Sequence, residues 1–191
     1  MIDIVVVSFS PAHCSLRISA GSSAAAIRAA KVVDPEAPNP PLHQASLDKA
    51  VARFDALRYA AGDIATADLR LTMQLAPEVK VLADPDRLHQ AVGNLLVNAT
   101  RYCRAGDEVA VTVDRDGSWA VVVIADTGPG MTPETKERIF DPFFTTKGKQ
   151  GTGLGLAIGK TIVEAHRGSS TCDSEPGRGT VFVVRLPYGL S

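Results

Sequence analysis

A run of alternate glycines, Gly151-Thr152-Gly153-Leu154-Gly155-Leu156, leaves backbone N–H groups open to an anion because no Cβ screens them. A helix starting beside the run would add the positive end of its dipole, an arrangement suited to phosphate. Two commoner phosphate loops do not fit. A Walker loop ending at Gly159-Lys160-Thr161 would need glycine at the position of Leu154. A dinucleotide-binding pattern from Gly153 would need glycine at the position of Ile158. Lys160 and Thr161 are therefore expected to face solvent or structure.

Three further groups of residues stand upstream. Asn94 and Asn98, in Asn94-Leu95-Leu96-Val97-Asn98-Ala99, are spaced to share one helix face. Amides on an otherwise apolar face need partners or cost about 1–3 kcal/mol. Asp126 follows an apolar run and precedes Gly128 and Gly130, in Asp126-Thr127-Gly128-Pro129-Gly130, as a turn former or as a placed acceptor. Phe140, Phe143 and Phe144 then gather in Phe140-Asp141-Pro142-Phe143-Phe144, either a small core cluster or the anchored side of a lid over Thr127 to Gln150. Lys147 or Lys149 could reach a β- or γ-phosphate as a point charge. The lid is expected to move when no nucleotide is present.

The elements that would carry these residues follow from periodicity. Leu47, Val51, Phe54 and Leu57 recur at helical spacing up to Tyr59. Leu69, Leu71, Met73 and Leu75 alternate as in a half-buried strand, and Val79 to Leu82 make a second. Asp84-Pro85 reads as an N-cap with proline at the first helical position, opening a helix with Leu88, Val92, Leu95, Leu96, Ala99 and Tyr102 on one face. Val109, Val111 and Val113 alternate, Asp114-Arg115-Asp116-Gly117 turns, and Trp119 to Ala125 returns as a hairpin. A helix from Gly155 to His166 follows the glycine run. Strands near Ser169–Ser174 and Thr180–Leu186 then flank Glu175-Pro176-Gly177-Arg178-Gly179. This order predicts an α+β fold, a mixed and mostly antiparallel sheet covered on one face by helices.

The four motifs, in this order and spacing, closely resemble the N, G1, F and G2 boxes of the ATP-binding catalytic domain of sensor histidine kinases. That domain belongs to the GHKL superfamily (gyrase, Hsp90, histidine kinase, MutL), whose two-layer α/β sandwich is the Bergerat fold. The resemblance covers residues 45 to 188. It implies that ATP and Mg²⁺ are bound. Asn98 would give a carbonyl oxygen to the metal, a hard ligand for a hard cation. Asn94 would stand beside it or bond a neighbouring loop. Arg101 matches a basic position that contacts phosphate. Tyr102 matches an aromatic next to the nucleotide, although core packing explains it as well. Asp126 would accept from the adenine amino group, with Gly128 and Gly130 allowing close approach, and Thr180 would complete that pocket. Phe140 would anchor the lid. Lys147 and the residues Gly151, Thr152, Gly153, Leu154, Gly155 and Leu156 would meet the phosphates. Asn98, Arg101 and Lys147 would be the catalytic residues.

Relatives of this kind phosphorylate a histidine on a two-helix dimeric domain, in a His-Glu-Leu-Arg-x-Pro context. None of the four histidines here has it. His13 lies two residues after Pro11; His43, in Pro41-Leu42-His43-Gln44-Ala45, has its proline on the wrong side. His89 falls on the N-box helix and His166 ends the helix after the glycines, a position where relatives carry a structural histidine. Residues 1 to 44, with a short strand expected at Ile4–Val7, an Ala/Ser-rich stretch and Pro35, Pro38, Pro40 and Pro41, read as a tail and linker instead of two long amphipathic helices. The expectation is a split kinase: a catalytic subunit that phosphorylates a histidine on a separate dimerisation protein, with a response regulator receiving the group next.

Bulk properties agree with such a protein. The 191 residues fit one domain and an extension, with 45% hydrophobic and 21% charged residues. Lys and Arg number 20 against 21 Asp and Glu, so the net charge of −1 offers no nucleic-acid footprint. The longest apolar run, Trp119 to Ala125, falls far short of a membrane span, which needs about 20 residues. Cys14, Cys103 and Cys172 show no CxxC spacing and read as reduced cytoplasmic thiols. Gyrase, Hsp90 and MutL ATPases lack the phenylalanine box, as do anti-sigma-factor serine kinases. A non-catalytic nucleotide-binding module is the other reading.

Overall fold

The computed structural model describes residues 43–48, 51, 69–146 and 151–188. The expected strand at Ile4–Val7, the proline cluster, His13, Cys14, Phe54, Leu57, Lys147 and Lys149 lie outside them.

Among the described residues the elements named here follow in order: β1 (His43–Ser46), β2 (Arg70–Leu75), β3 (Lys80–Ala83), α1 (Pro85–Tyr102), β4 (Glu108–Asp116), β5 (Trp119–Asp126), α2 (Pro133–Arg138), α3 (Gly155–Ala165), β6 (Ser169–Glu175) and β7 (Gly179–Pro187). The main sheet has the order β2-β4-β5-β7-β6. Only β2 and β4 run parallel; the other pairs are antiparallel. This is the mixed, mostly antiparallel sheet with helices that the element order predicts. β3 pairs instead with β1 in a separate two-stranded sheet, a strand that the prolines before it concealed.

Alternation decides which side chains point inward. Val109, Val111 and Val113 of β4, Val122 and Ile124 of β5, and Phe182, Val184 and Leu186 of β7 form one buried face. Leu88, Val92, Leu95 and Leu96 of α1, with Ile162 and Val163 of α3, close the same core. Leu47 and Val51 also reach it. Fully burying each such aliphatic side chain contributes about 1.5–3 kcal/mol, so the core fixes the two helices on the sheet.

The hairpin turn sits later than its charged residues suggest. β4 continues through Asp116, which faces Trp119 across a two-residue loop of Gly117 and Ser118. Gly117 has φ +57, the left-handed backbone that the first loop position of a tight hairpin favours. The twist of the strands, more than the polarity of Asp114 and Arg115, selects the turn.

Candidate functional site

The Asp84 side chain starts α1 by accepting the N–H groups of Asp86 at 2.9 Å and Arg87 at 3.3 Å. With Leu88, Val92, Leu95, Leu96 and Ala99 turned into the core, Asn94, Asn98, Arg101 and Tyr102 fall along the side that faces a cavity of about 440 Å³. That volume lies in the range of small-molecule sites. Val97, which the sequence did not single out, shares this wall and is 44% exposed.

The opposite wall comes from the sheet. Asp126 ends β5 directly opposite Thr180 of β7, and both line the cavity while only 7% exposed. Asp126 Oδ1 accepts the Gly128 N–H at 3.0 Å. Burial raises the Asp126 pKa to about 6; Asp107 adds to the rise, while backbone N–H groups of Gly128 and Thr180 oppose it. Gly128 does not line the cavity. It packs behind Asp126, where an added Cβ would come within 3.0 Å of Asp126 Oδ1 and 3.5 Å of Cys103 Sγ. The Cys103 thiol, half-buried there, is pushed up to about 12 chiefly by burial.

The first residues of the expected lid, Pro129 to Met131, are bonded to the end of β6 and the turn after it. Gly130, at φ +65, lies so close to the Glu175 carbonyl that any Cβ would overlap it. Gly177 N–H donates to Pro129 O at 2.7 Å, and Met131 N–H donates to Ser174 Oγ at 2.9 Å. Thr132 then caps the short helix α2, which the sequence reading did not include. Ile139, 6% exposed, turns the chain back into the core.

The three phenylalanines part company here. Phe140 packs against the core with the Lys160 ammonium 5.4 Å from its ring centre, and does not line the cavity. Phe144 does line it, under the Arg138 guanidinium at 4.5 Å. Phe143 is 74% exposed at φ +65, its N–H held by Gly153 O at 2.9 Å. Beyond them, Thr146 Oγ1 meets the Tyr102 hydroxyl at 3.0 Å, joining this segment to the end of α1.

Gly151, Thr152, Gly153, Gly155 and Leu156 complete the cavity, and Leu154 does not reach it. Leu154 is the N-cap residue of α3, and no side chain caps that helix. Its first N–H groups therefore lack the usual side-chain acceptor, as an anion site requires. Gly155 and Gly159 let α3 press against Asn94 and Ala91, with would-be Cβ contacts of 3.8 Å and 3.4 Å. Lys160 and Thr161 face away as expected: Lys160 pairs with Glu164 at 3.9 Å and Thr161 Oγ1 donates to Ala157 O at 3.0 Å. Missed altogether was Ser174, whose strand Ser169–Glu175 looks merely polar; its inward alternation with Cys172 is the available signal.

Comparison with known proteins agrees with this geometry. The family model described as histidine kinase-, DNA gyrase B-, and HSP90-like ATPase matches residues 83–190. The sensor protein SrrB of Staphylococcus aureus is 48% identical over 109 residues, which are 54% of this chain and 19% of that protein. The chain thus spans about a fifth of the length of the curated relatives it matches. Among solved structures, the catalytic domain of histidine kinase ThkA superposes with TM-score 0.68 at 28% identity, covering 78% of this chain and 96% of that one. The mycobacterial sensor histidine kinase MprB gives 0.62 at 29%, covering 76% and 93%. Full-length ShkA, solved in complex with AMPPNP, gives 0.66 at 28%, covering 82% and 34%. With its boxes gathered on one cavity and its fold that of histidine kinase catalytic domains, the chain belongs to the family of histidine kinase-, DNA gyrase B-, and HSP90-like ATPases.

Proposed function

We propose that this domain binds MgATP and transfers the γ-phosphoryl group to a histidine on a separate dimerisation protein, a response regulator being the next acceptor. The observation that carries the reading is the meeting, around one cavity, of buried acceptors at Asp126 and Thr180 with an uncapped helix N-terminus behind alternate glycines.

These residues fit the nucleotide. Asp126 would accept from the base amino group, with Gly128 packed behind it, while Gly130 in the lining leaves no side chain between backbone and base. The Tyr102 ring borders the same cavity. N–H groups of the segment Gly151 to Leu156 would hold the phosphates, with Arg101 and Lys147 offsetting their charge. Among the described residues no three His, Cys, Asp or Glu side chains converge. A Mg²⁺ held by the Asn98 amide oxygen would accordingly take its other ligands from phosphate and water, as Mg²⁺ commonly does. When bound, MgATP supplies the phosphoryl group and the metal charge that neutralises its oxygens. The chain's own work is placement and charge neutralisation, which phosphoryl transfer chiefly requires.

An acceptor in trans is supported by two of the described histidines. Neither His89 nor His166 lines the cavity, and both ring nitrogens of His166 are engaged in bonds within the domain. The base that receives the acceptor's proton belongs, on this reading, to the partner.

Calorimetric titration with ATP, with and without Mg²⁺, tests the site. Asn98→Ala should erase the Mg²⁺-dependent part of the affinity, about 5- to 150-fold for a contact of ~1–3 kcal/mol, with an unchanged circular dichroism spectrum. Equal Mg²⁺ dependence in both proteins would remove the metal role from Asn98.

A further inference from the structure

Ser174 lies behind the cavity wall on β6, 7% exposed and outside the lining. Its hydroxyl has one hydrogen to give and two lone pairs. Three groups surround it. The Gly179 carbonyl, at 2.8 Å, can only accept, so Ser174 donates there. The Met131 N–H, at 2.9 Å, can only donate. The third is Thr180 Oγ1, at 3.2 Å. With its single hydrogen in the shorter bond to the carbonyl, Ser174 is left to accept from Thr180. The Thr180 hydrogen therefore points away from the cavity that Thr180 lines. Its lone pairs are what remain for a ligand, beside the carboxylate of its cross-strand partner Asp126.

We propose that Ser174 is a specificity-determining positioning residue: by fixing the Thr180 hydroxyl as an acceptor, it makes the Asp126–Thr180 end of the cavity accept only. Where it faces the 6-substituent of a purine, such an end takes an amino group and disfavours a carbonyl. The inference rests on the nucleotide reading above and adds to it the residue that sets the polarity. Without Ser174, the Thr180 hydroxyl rotates and donates to a 6-carbonyl, while the Asp126 carboxylate still repels it. Discrimination then shrinks without vanishing.

The test measures ADP and inosine 5′-diphosphate binding to the full chain by calorimetry, in the presence of Mg²⁺. The parent should prefer ADP by about tenfold or more, the scale of one mismatched buried hydrogen bond. Ser174→Ala should narrow that ratio about fivefold, mainly by tighter inosine diphosphate binding. Ser174→Thr, which keeps the hydroxyl, should hold the parent ratio. If the alanine variant does not fold, Ser174→Cys serves, since a thiol accepts too weakly to hold the Thr180 hydrogen. A ratio in Ser174→Ala or Ser174→Cys equal to the parent's overturns the inference while leaving the nucleotide reading intact. A parent that binds both nucleotides equally also overturns it. A parent that binds neither overturns the nucleotide reading itself, and the inference with it.

Discussion

His166 Nε2 accepts the backbone N–H of Asp84 at 3.1 Å, joining the end of α3 to the N-cap of α1. The other ring nitrogen, Nδ1, lies 2.7 Å from the Ile162 carbonyl and must donate to it, so the ring is neutral with its proton on Nδ1. At the far end of the same helix pair, Gly155 rests on Asn94. The glycine loop and the asparagine face are thereby held in one register from both ends.

Replacing His166 by alanine strands the buried Asp84 N–H and leaves a cavity, while the Ile162 carbonyl keeps the backbone N–H of residue 166. Stability should fall by about 1–3 kcal/mol. Urea unfolding followed by circular dichroism checks this; a midpoint equal to the parent's would show that the joint between helices is not supported by His166.

Two glycines of one motif should behave differently. Gly153 has φ +66, and a Cβ there would overlap the Phe143 carbonyl carbon. Gly153→Ala should lower MgATP affinity tenfold or more, since displacing the loop costs ~1–3 kcal/mol in strain alone. A Cβ on Gly155 meets Asn94 at an ordinary 3.8 Å, at the start of a helix. Gly155→Ala should stay within about twofold of the parent, alanine being the better helix former. Titration of both variants decides it, and equal losses would contradict the assigned geometry.

Asp126 links binding to stability with opposite signs. Its pKa, raised by burial from 3.8 to about 6, means that the folded chain keeps a proton that the unfolded chain releases between those values. The associated stability is present below pH ~4 and lost as pH rises through about 6. Asp126→Asn should thus raise Tm by about 2–4 °C at pH 7–8, the shift for ~1 kcal/mol in a domain of this size, with the gain fading toward pH 4. Nucleotide affinity should fall in the same variant, and parent affinity should fall below pH 6. Scanning calorimetry across pH checks the first part, ligand titration the second.

Much of this was legible from spacing. The strands with Val109, Val111 and Val113, or with Phe182, Val184 and Leu186, announce their buried face by alternation, and Asp84-Pro85 announces α1. Asp126 ends β5, the glycine run opens α3, and Asn94 and Asn98 share one face of α1, but that they form one site was legible only through the resemblance of the four motifs to the family's boxes. What escaped depends on long-range packing. β1 is held by its pairing with β3, which no local signal encodes. The phenylalanine cluster gave no hint that Phe144 would line the cavity, Phe140 support it from behind and Phe143 face outward; a φ of +65 at Phe143 makes that division. Ser174 is functional only through partners 43, 5 and 6 residues away.

The most direct test of phosphoryl transfer to a partner is incubation of the chain with Mg²⁺ and γ-labelled ATP, alone and with a histidine-bearing dimerisation protein, followed by acid and alkali treatment. Acid-labile, alkali-stable label that appears on the added protein, and is lost with Asn98→Ala, is the predicted result. Acid-labile label on the chain incubated alone, or acid-stable label on the partner, would contradict a histidine acceptor in trans.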